Sequence, residues 1–149
     1  MKILNKKNYL DSLPTFGGSK SFRNVYAEID GKIKDLTENG NLSCSFFVSS
    51  YLLRFTSVSL NFKLINEIHL TVPGTVKDLK TCGWYEIKDL KTGAIITWKN
   101  SSKSQHPHIG FYLGNGKFIS NNDIEREIII SDEKERVIDS IFWHEFLEV

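Results

Sequence analysis

The segment from His108 to Ile119 constrains the fold more strongly than any other part of this chain. Two short apolar runs, His108–Leu113 and Lys117–Ile119, flank the sequence Gly114-Asn115-Gly116. Asn-Gly pairs readily adopt the positive φ angles of tight hairpin turns, so the pattern predicts an antiparallel β-hairpin. The chain must therefore contain an antiparallel sheet, and the turn sets which residues lie opposite His108.

Helical patterns precede this hairpin. Apolar residues that recur at steps of three and four predict a helix beginning near Ser43 or Cys44, namely Phe47, Val48, Tyr51, Leu52 and Phe55. An earlier stripe with the same spacing predicts a helix before it, formed by Phe22, Val25, Tyr26, Ile29, Ile33 and Leu36. Residues 1–20 are interpreted as an irregular lead-in. Pro73-Gly74-Thr75 predicts a short helix through Leu79 that stops at Gly83.

Most of the remaining sequence is typical of strands. Further strands are predicted at Trp84–Ile87, Ala94–Trp98, Arg126–Ile130 and Val137–Phe146, the last of which is also compatible with a helix. Residues 56–72 stay unassigned, and Asn100 to Gln105 is predicted to be a polar loop. Helices followed by a run of antiparallel strands predict an α+β fold, with residues 1–149 as a single domain.

Composition narrows the classes of function. The 149 residues carry a net charge of only +1 with no basic stripe, so neither nucleic acid nor a membrane is expected as a partner. No apolar run approaches the length of a membrane span, and no secretory signal follows the basic start. These features predict a cytoplasmic location, with release or a non-standard export route left open. The histidines and cysteines lack metal-type spacing, so no metal or cofactor is expected.

Cys44 is the first candidate for chemistry. The unpaired N–H groups at a helix N-terminus lower the pKa of a thiol, and the Cys44 N–H would also face an oxyanion formed there. The alternative is that Cys44 is a small core residue, as many free cysteines are. The only other cysteine, Cys82, lies at a predicted helix end and is interpreted as structural.

His108 is the second candidate. It begins a strand that needs no polar residue in order to fold, and an imidazole at such an edge can reach a helix terminus and act as a general base. His69, His106 and His144 are interpreted as surface or structural residues.

A catalytic imidazole also needs a partner that orients it. The strand after the turn offers Ser120, Asn121 and Asn122. If Gly114-Asn115-Gly116 forms the loop, His108 faces Asn122 with Ser120 diagonal to it; if only Asn115-Gly116 forms the turn, Asn121 joins the His108 face.

Three segments resemble the NlpC-type papain-like cysteine peptidases, the bacterial cell-wall endopeptidases, and the related CHAP amidases. Ser43-Cys44-Ser45-Phe46 resembles an Asp-Cys-Ser-Gly-like string, and Leu90–Trp98 resembles a Leu-x-x-Gly-Asp-x-Val-x-Phe-like segment. His108–Ile119 resembles the family hairpin His-x-Gly-x-Tyr-x-Gly-x-Gly-x-x-Ile. The family's aspartate before the cysteine is Ser43 in this chain, and its aromatic-Trp-Gly-Gly string upstream has no match.

The resemblance implies a papain-like fold in which Cys44 attacks an amide carbonyl and His108 transfers the proton. It also implies peptide or peptidoglycan-like substrates, since these are the family's usual ones. Ser120 aligns with the residue that orients the histidine in the family, while Asn121 or Asn122 would act as the asparagine does in papain-type enzymes. Two alternatives stay open: a catalytically silent binding domain, in which Phe46 or Trp98 would fill the cleft, and an acyltransferase that uses the same pair.

Overall fold

The computed structural model describes residues 1–56, 63–101, 104–132 and 136–148. Residues 57–62 of the unassigned stretch and residues 102–103 of the predicted polar loop lie outside this part. Within it the chain forms three α-helices, eight β-strands and two short 3₁₀ turns, which confirms the α+β class. None of the helices described is both long and apolar enough to cross a membrane.

The three helices are α1 (Asn5–Ser12), α2 (Cys44–Thr56) and α3 (Val72–Thr81). The predicted starts of α2 and α3 are confirmed. The irregular lead-in is wrong, because α1 and a 3₁₀ turn over Leu13–Phe16 occupy most of it. This first helix carries few apolar residues, and packing of the fully buried Tyr9 and Leu13 stabilises it. A helix that depends on tertiary packing of this kind is hard to predict from its sequence.

The helix predicted over residues 22–36 is also wrong. The segment forms a hairpin of β1 (Tyr26–Ile29) and β2 (Lys32–Asp35), joined by Asp30-Gly31. Both turn residues have positive φ, 51° and 75°, as a tight two-residue hairpin requires. Of the six apolar residues that suggested a helix, three are exposed, with Ile33 at 81%, and the other three are only half-buried. Their spacing therefore did not mark a buried face.

The remaining strands build one antiparallel sheet in the order β3-β8-β4-β5-β6-β7. Its members are β3 (Tyr85–Ile87), β4 (Ile95–Trp98), β5 (His108–Gly114), β6 (Lys117–Asn122), β7 (Glu127–Ser131) and β8 (Ile138–Trp143). All four predicted strands and the hairpin are confirmed. The last predicted strand ends at Trp143, and a 3₁₀ turn over Glu145–Leu147 follows it.

Helix α2 packs on strands β5 and β6, and aromatic rings fill the layer between them. Phe111 of β5 contacts Phe47 and Tyr51 of α2 edge to face, with ring centroids 5.7 and 5.3 Å apart. Tyr9 contacts Tyr51 in the same way at 5.4 Å and donates a hydrogen bond to the Gly93 carbonyl. These contacts fix the helix against the sheet and thereby place its N-terminus beside the start of β5.

The β5–β6 hairpin combines the two registers considered for it. Asn115-Gly116 is the two-residue turn, because Gly114 pairs with Lys117. An irregularity between Tyr112 and Gly114 then shifts the register, so that Phe111 pairs with Ile119. A bulge of this kind adds a residue to one strand and exchanges the faces beyond it. The shift brings Ser120 to the His108 face and turns Asn121 to the opposite one.

Candidate active site

Cys44 and His108 line the same cavity, whose volume is about 450 Å³. Cys44 is the first residue of α2 and His108 is the first residue of β5, so both stand at element ends that open into this space. The loop before α2 and the residues before α3 form further walls. A larger cavity of about 760 Å³ lies beside α1, away from these two residues.

Side chains from β6 and from the turn after it hold the loop that leads into Cys44. The buried Asn121 amide donates a hydrogen bond of 2.8 Å to the Gly40 carbonyl. Arg126 donates to the Glu38 and Asn39 carbonyls at 3.5 and 3.3 Å. Asn121 therefore anchors the loop before the nucleophile, and the side-chain hydrogen bond found for it goes to that loop and not, as one prediction had it, to the imidazole.

Packing around the Cys44 sulfur raises the pKa of its thiol above the ordinary value. The Ile109 backbone N–H, Ser45 and the positive charge of Arg136 act in the opposite direction but do not outweigh burial. The expectation of a thiol pKa lowered by the helix N-terminus is therefore not met. At neutral pH Cys44 is a protonated thiol with partial access to solvent.

His108 lies between Trp98 and Ser120. Its Nε2 is 2.9 Å from the Ser120 hydroxyl, and its ring packs against the Trp98 indole with centroids 5.2 Å apart. Burial, followed by the Arg136 charge, lowers the pKa of His108 to about 3. The imidazole is thus neutral at physiological pH. When Nε2–H donates to Ser120, Nδ1 carries the lone pair that can accept a proton.

Asn122, the third residue considered for the orienting role, closes the turn between β6 and β7. Its side-chain oxygen accepts hydrogen bonds from the Ile124 and Glu125 amides at 2.9 and 2.7 Å. Of the three candidates, Ser120 is the one that the structure brings into contact with the imidazole.

The other cysteine and two of the other histidines hold the structure together elsewhere. Burial and the neighbouring Asp78 carboxylate raise the pKa of Cys82 to about 11. His69 Nε2 forms a hydrogen bond of 2.6 Å with the Asp78 carboxylate, and His144 Nε2 lies 2.9 Å from the Cys82 carbonyl oxygen.

His106, in contrast, lines the cavity with Cys44. The described part of the chain holds no cluster of three or more His, Cys, Asp or Glu suited to a metal ion.

Arg136 is a cavity residue that sequence reasoning missed. It lines the cavity together with Cys44 and His108, and its Nη2 donates to the His106 carbonyl at 3.4 Å. No motif surrounds it: it is one charged residue in the charged run from Asp132 to Arg136. Its position two residues before β8 brings it into the lining of the cavity.

Comparisons with solved structures show the fold. A structure of NlpC2 from Trichomonas vaginalis matches 92% of this chain and 45% of its own, with 20% sequence identity and a TM-score of 0.55. The crystal structure of Ly7917 with the hydrolyzing product of MDP matches 94% of this chain and 62% of its own, with 13% identity and a TM-score of 0.52. The chain thus spans less than two thirds of either protein's length.

No curated protein matches the sequence. The two solved structures share with this chain the NlpC-type papain-like fold that the resemblance of the three motif segments implies. A model of the NlpC/P60 family matches residues 16–146 and so includes Cys44, His108 and the hairpin between β5 and β6. This chain belongs to the NlpC/P60 family.

Proposed function

We propose that this chain is a cysteine-dependent hydrolase that cleaves an amide bond through an acyl-thioenzyme. The observation that carries the proposal is that Cys44 and His108 line one cavity while Ser120 holds Nε2 of the imidazole. This arrangement leaves Nδ1 as the general base for a thiol at the helix N-terminus. Family membership supports the same chemistry.

The proposed reaction starts from a neutral pair, because burial keeps the thiol protonated and the imidazole uncharged. Nδ1 of His108 takes the thiol proton as Sγ bonds to the substrate carbonyl carbon. The Cys44 backbone N–H donates to the oxyanion. When the C–N bond breaks, the leaving amine takes the proton from His108, and an acyl thioester remains on Cys44.

Water then completes the cycle. His108 takes a proton from the attacking water, whose oxygen bonds to the thioester carbon. The C–S bond breaks, the acid leaves, and the sulfur regains the proton. Ser120 is a positioning residue throughout, since its contact with Nε2 leaves Nδ1 as the nitrogen that takes and returns the proton.

We propose peptides of the peptidoglycan type as substrates. A cavity of about 450 Å³ falls within the range of small-molecule sites and can hold a short peptide segment. A solved structure with the same fold holds the hydrolyzing product of MDP, a muramyl dipeptide. The silent-domain alternative expects Phe46 or Trp98 in the cleft, whereas Phe46 packs on Phe22 at 5.7 Å and Trp98 lies against the imidazole.

The test is hydrolysis of a digest of peptidoglycan stem peptides, followed by mass spectrometry. We expect products that have gained the elements of water, loss of product with Cys44→Ala and His108→Ala, and normal product with Cys82→Ala. Acyl products joined to an added amine would instead indicate the transferase. If folded wild-type protein and Cys44→Ala give the same product pattern, the proposed chemistry is wrong.

A further inference from the structure

The described lining of the cavity beside Cys44 carries one permanent charge of each sign. Among the described residues that line it, Arg136 is the basic side chain with a permanent charge, and Asp123 is the one carboxylate. Arg136 is close enough to the reacting groups for its charge to act on both Cys44 and His108. A cation in the cavity lining therefore acts on the nucleophile.

The Arg136 guanidinium has more N–H donors than the hydrogen bond found for it uses. It carries five N–H groups, and the side-chain hydrogen bond found for it within the described residues is the one to the His106 carbonyl. That bond is long, at 3.4 Å, and uses only Nη2. A guanidinium presents paired N–H groups that fit a carboxylate with two parallel bonds.

Packing of the hydrophobic core does not explain the position of Arg136. Arg136 is partly exposed at the cavity wall, and it does not lie in the hydrophobic layer between α2 and the sheet. The backbone carbonyl of His106, another lining residue, accepts the hydrogen bond that ties the guanidinium to the cavity lining. The arrangement suits a group that enters from solvent.

We propose that Arg136 is a specificity-determining residue that binds a carboxylate of the substrate next to the scissile amide. The inference rests on the proposed function, since it names what the Cys44 site selects. It predicts that an amide with an anionic group close to the scissile carbonyl is preferred over its neutral counterpart. Asp123, which lines the same cavity, weakens this preference by repulsion.

Two alkylating agents of nearly equal size test the charge preference at Cys44 itself. Iodoacetate is anionic and iodoacetamide is neutral, and each forms an S–C bond as iodide leaves. Both need the same thiolate, so the ratio of their rates does not depend on the thiol pKa. The full chain with Cys82→Ser is used so that Cys44 is the single thiol, and the ratio is compared with that of a small free thiol under the same conditions.

We expect the iodoacetate-to-iodoacetamide ratio at Cys44 to exceed that of the free thiol by about fivefold at low salt. Arg136→Gln should abolish the excess, Arg136→Lys should keep part of it, and Asp123→Asn should increase it. Lys117→Gln is the matched control, because Lys117 pairs with Asp132 at the far end of the β5–β6 hairpin and should leave the ratio unchanged. Melting temperatures verify that each variant is folded.

A ratio that is the same in Arg136→Gln as in the parent overturns the inference, and so does a Cys44 that neither reagent reaches. Failure of the proposed function looks different. In that case the peptide digest is unchanged by Cys44→Ala even though the rate ratio still depends on Arg136. If hydrolysis depends on Cys44 while the ratio ignores Arg136, only the assignment of Arg136 is wrong.

Discussion

The Nε2 atom of His108 lies 2.9 Å from the hydroxyl oxygen of Ser120 on the next strand. The partner of the imidazole is thus a neutral hydroxyl that is almost fully buried, at 3% exposure. A hydroxyl can fix the tautomer and the angle of the ring, but it offers no negative charge to stabilise an imidazolium. This contact, together with burial, explains why the site holds a neutral pair at rest.

Replacement of Ser120 tests its positioning role. Ser120→Ala should lower kcat about fivefold, because one hydrogen bond of roughly 1 kcal/mol no longer fixes the orientation of the ring. Asn122→Ala is the matched control, since its side chain serves the β6–β7 turn and should leave kcat close to normal. Steady-state hydrolysis of the cleaved stem peptide measures both. Equal losses in the two variants would contradict the role of Ser120.

The pH dependence of alkylation tests the neutral pair. The pKa of Cys44 is raised, so its thiolate fraction and its rate with iodoacetamide should climb about tenfold per pH unit through the neutral range. The pKa of His108 is about 3, so its titration adds no step above pH 5. His108→Gln should therefore alter the profile little. A rate plateau below pH 7 that vanishes in His108→Gln would reveal a thiolate–imidazolium pair instead.

Stability should also respond to His108. Its pKa falls from 6.5 in the unfolded chain to about 3 in the folded one, so the unfolded state binds the extra proton first as pH is lowered. The free energy of unfolding should decline between about pH 6.5 and pH 4, before the carboxylates titrate. Chemical denaturation at several pH values measures the decline. His108→Gln should reduce it, and an unchanged slope would mean that the imidazole is not buried in its neutral form.

The sequence predicts the two catalytic candidates better than the rest of their site. The Asn-Gly turn and the apolar stripe after Cys44 are local patterns, and both elements form where those patterns predict them. The third member depends on a bulge near Leu113, which places Ser120 instead of Asn121 on the His108 face. Bulges leave no clear sequence pattern because they depend on how the strands twist and pack.

The N-terminal elements were missed for a different reason. Asp30-Gly31 is a hairpin signal, but the apolar residues around it happen to match a helical spacing as well. Tyr9 and Leu13 are too few to give a periodic pattern, although packing buries both completely. Arg136 has no motif at all, since a charge in a charged run is ordinarily a solvated residue. Only tertiary structure gives it a place beside Cys44.

The loop before the nucleophile provides a test of how Cys44 is placed. Gly40 has a φ of +90°, and a Cβ atom added there would lie 2.8 Å from the Arg126 Cβ and 3.1 Å from its Cα. Gly31 has a similar φ of +75° with nothing within 4 Å, so it is the matched control. Both alanine variants should lose about 1 kcal/mol of unfolding free energy from the strained φ.

Gly40→Ala should lose roughly 1–3 kcal/mol more than Gly31→Ala, because Arg126 or the loop must move. The shift would also disturb the hydrogen bond from Asn121 to the Gly40 carbonyl, which anchors the loop four residues before Cys44. We therefore expect Gly40→Ala to lower kcat several-fold while Gly31→Ala, on the exposed hairpin, leaves it unchanged. Chemical denaturation and peptide hydrolysis measure the two effects. Equal stability and equal activity in both variants would mean that the contacts of Asn121 and Arg126 with this loop do not position Cys44.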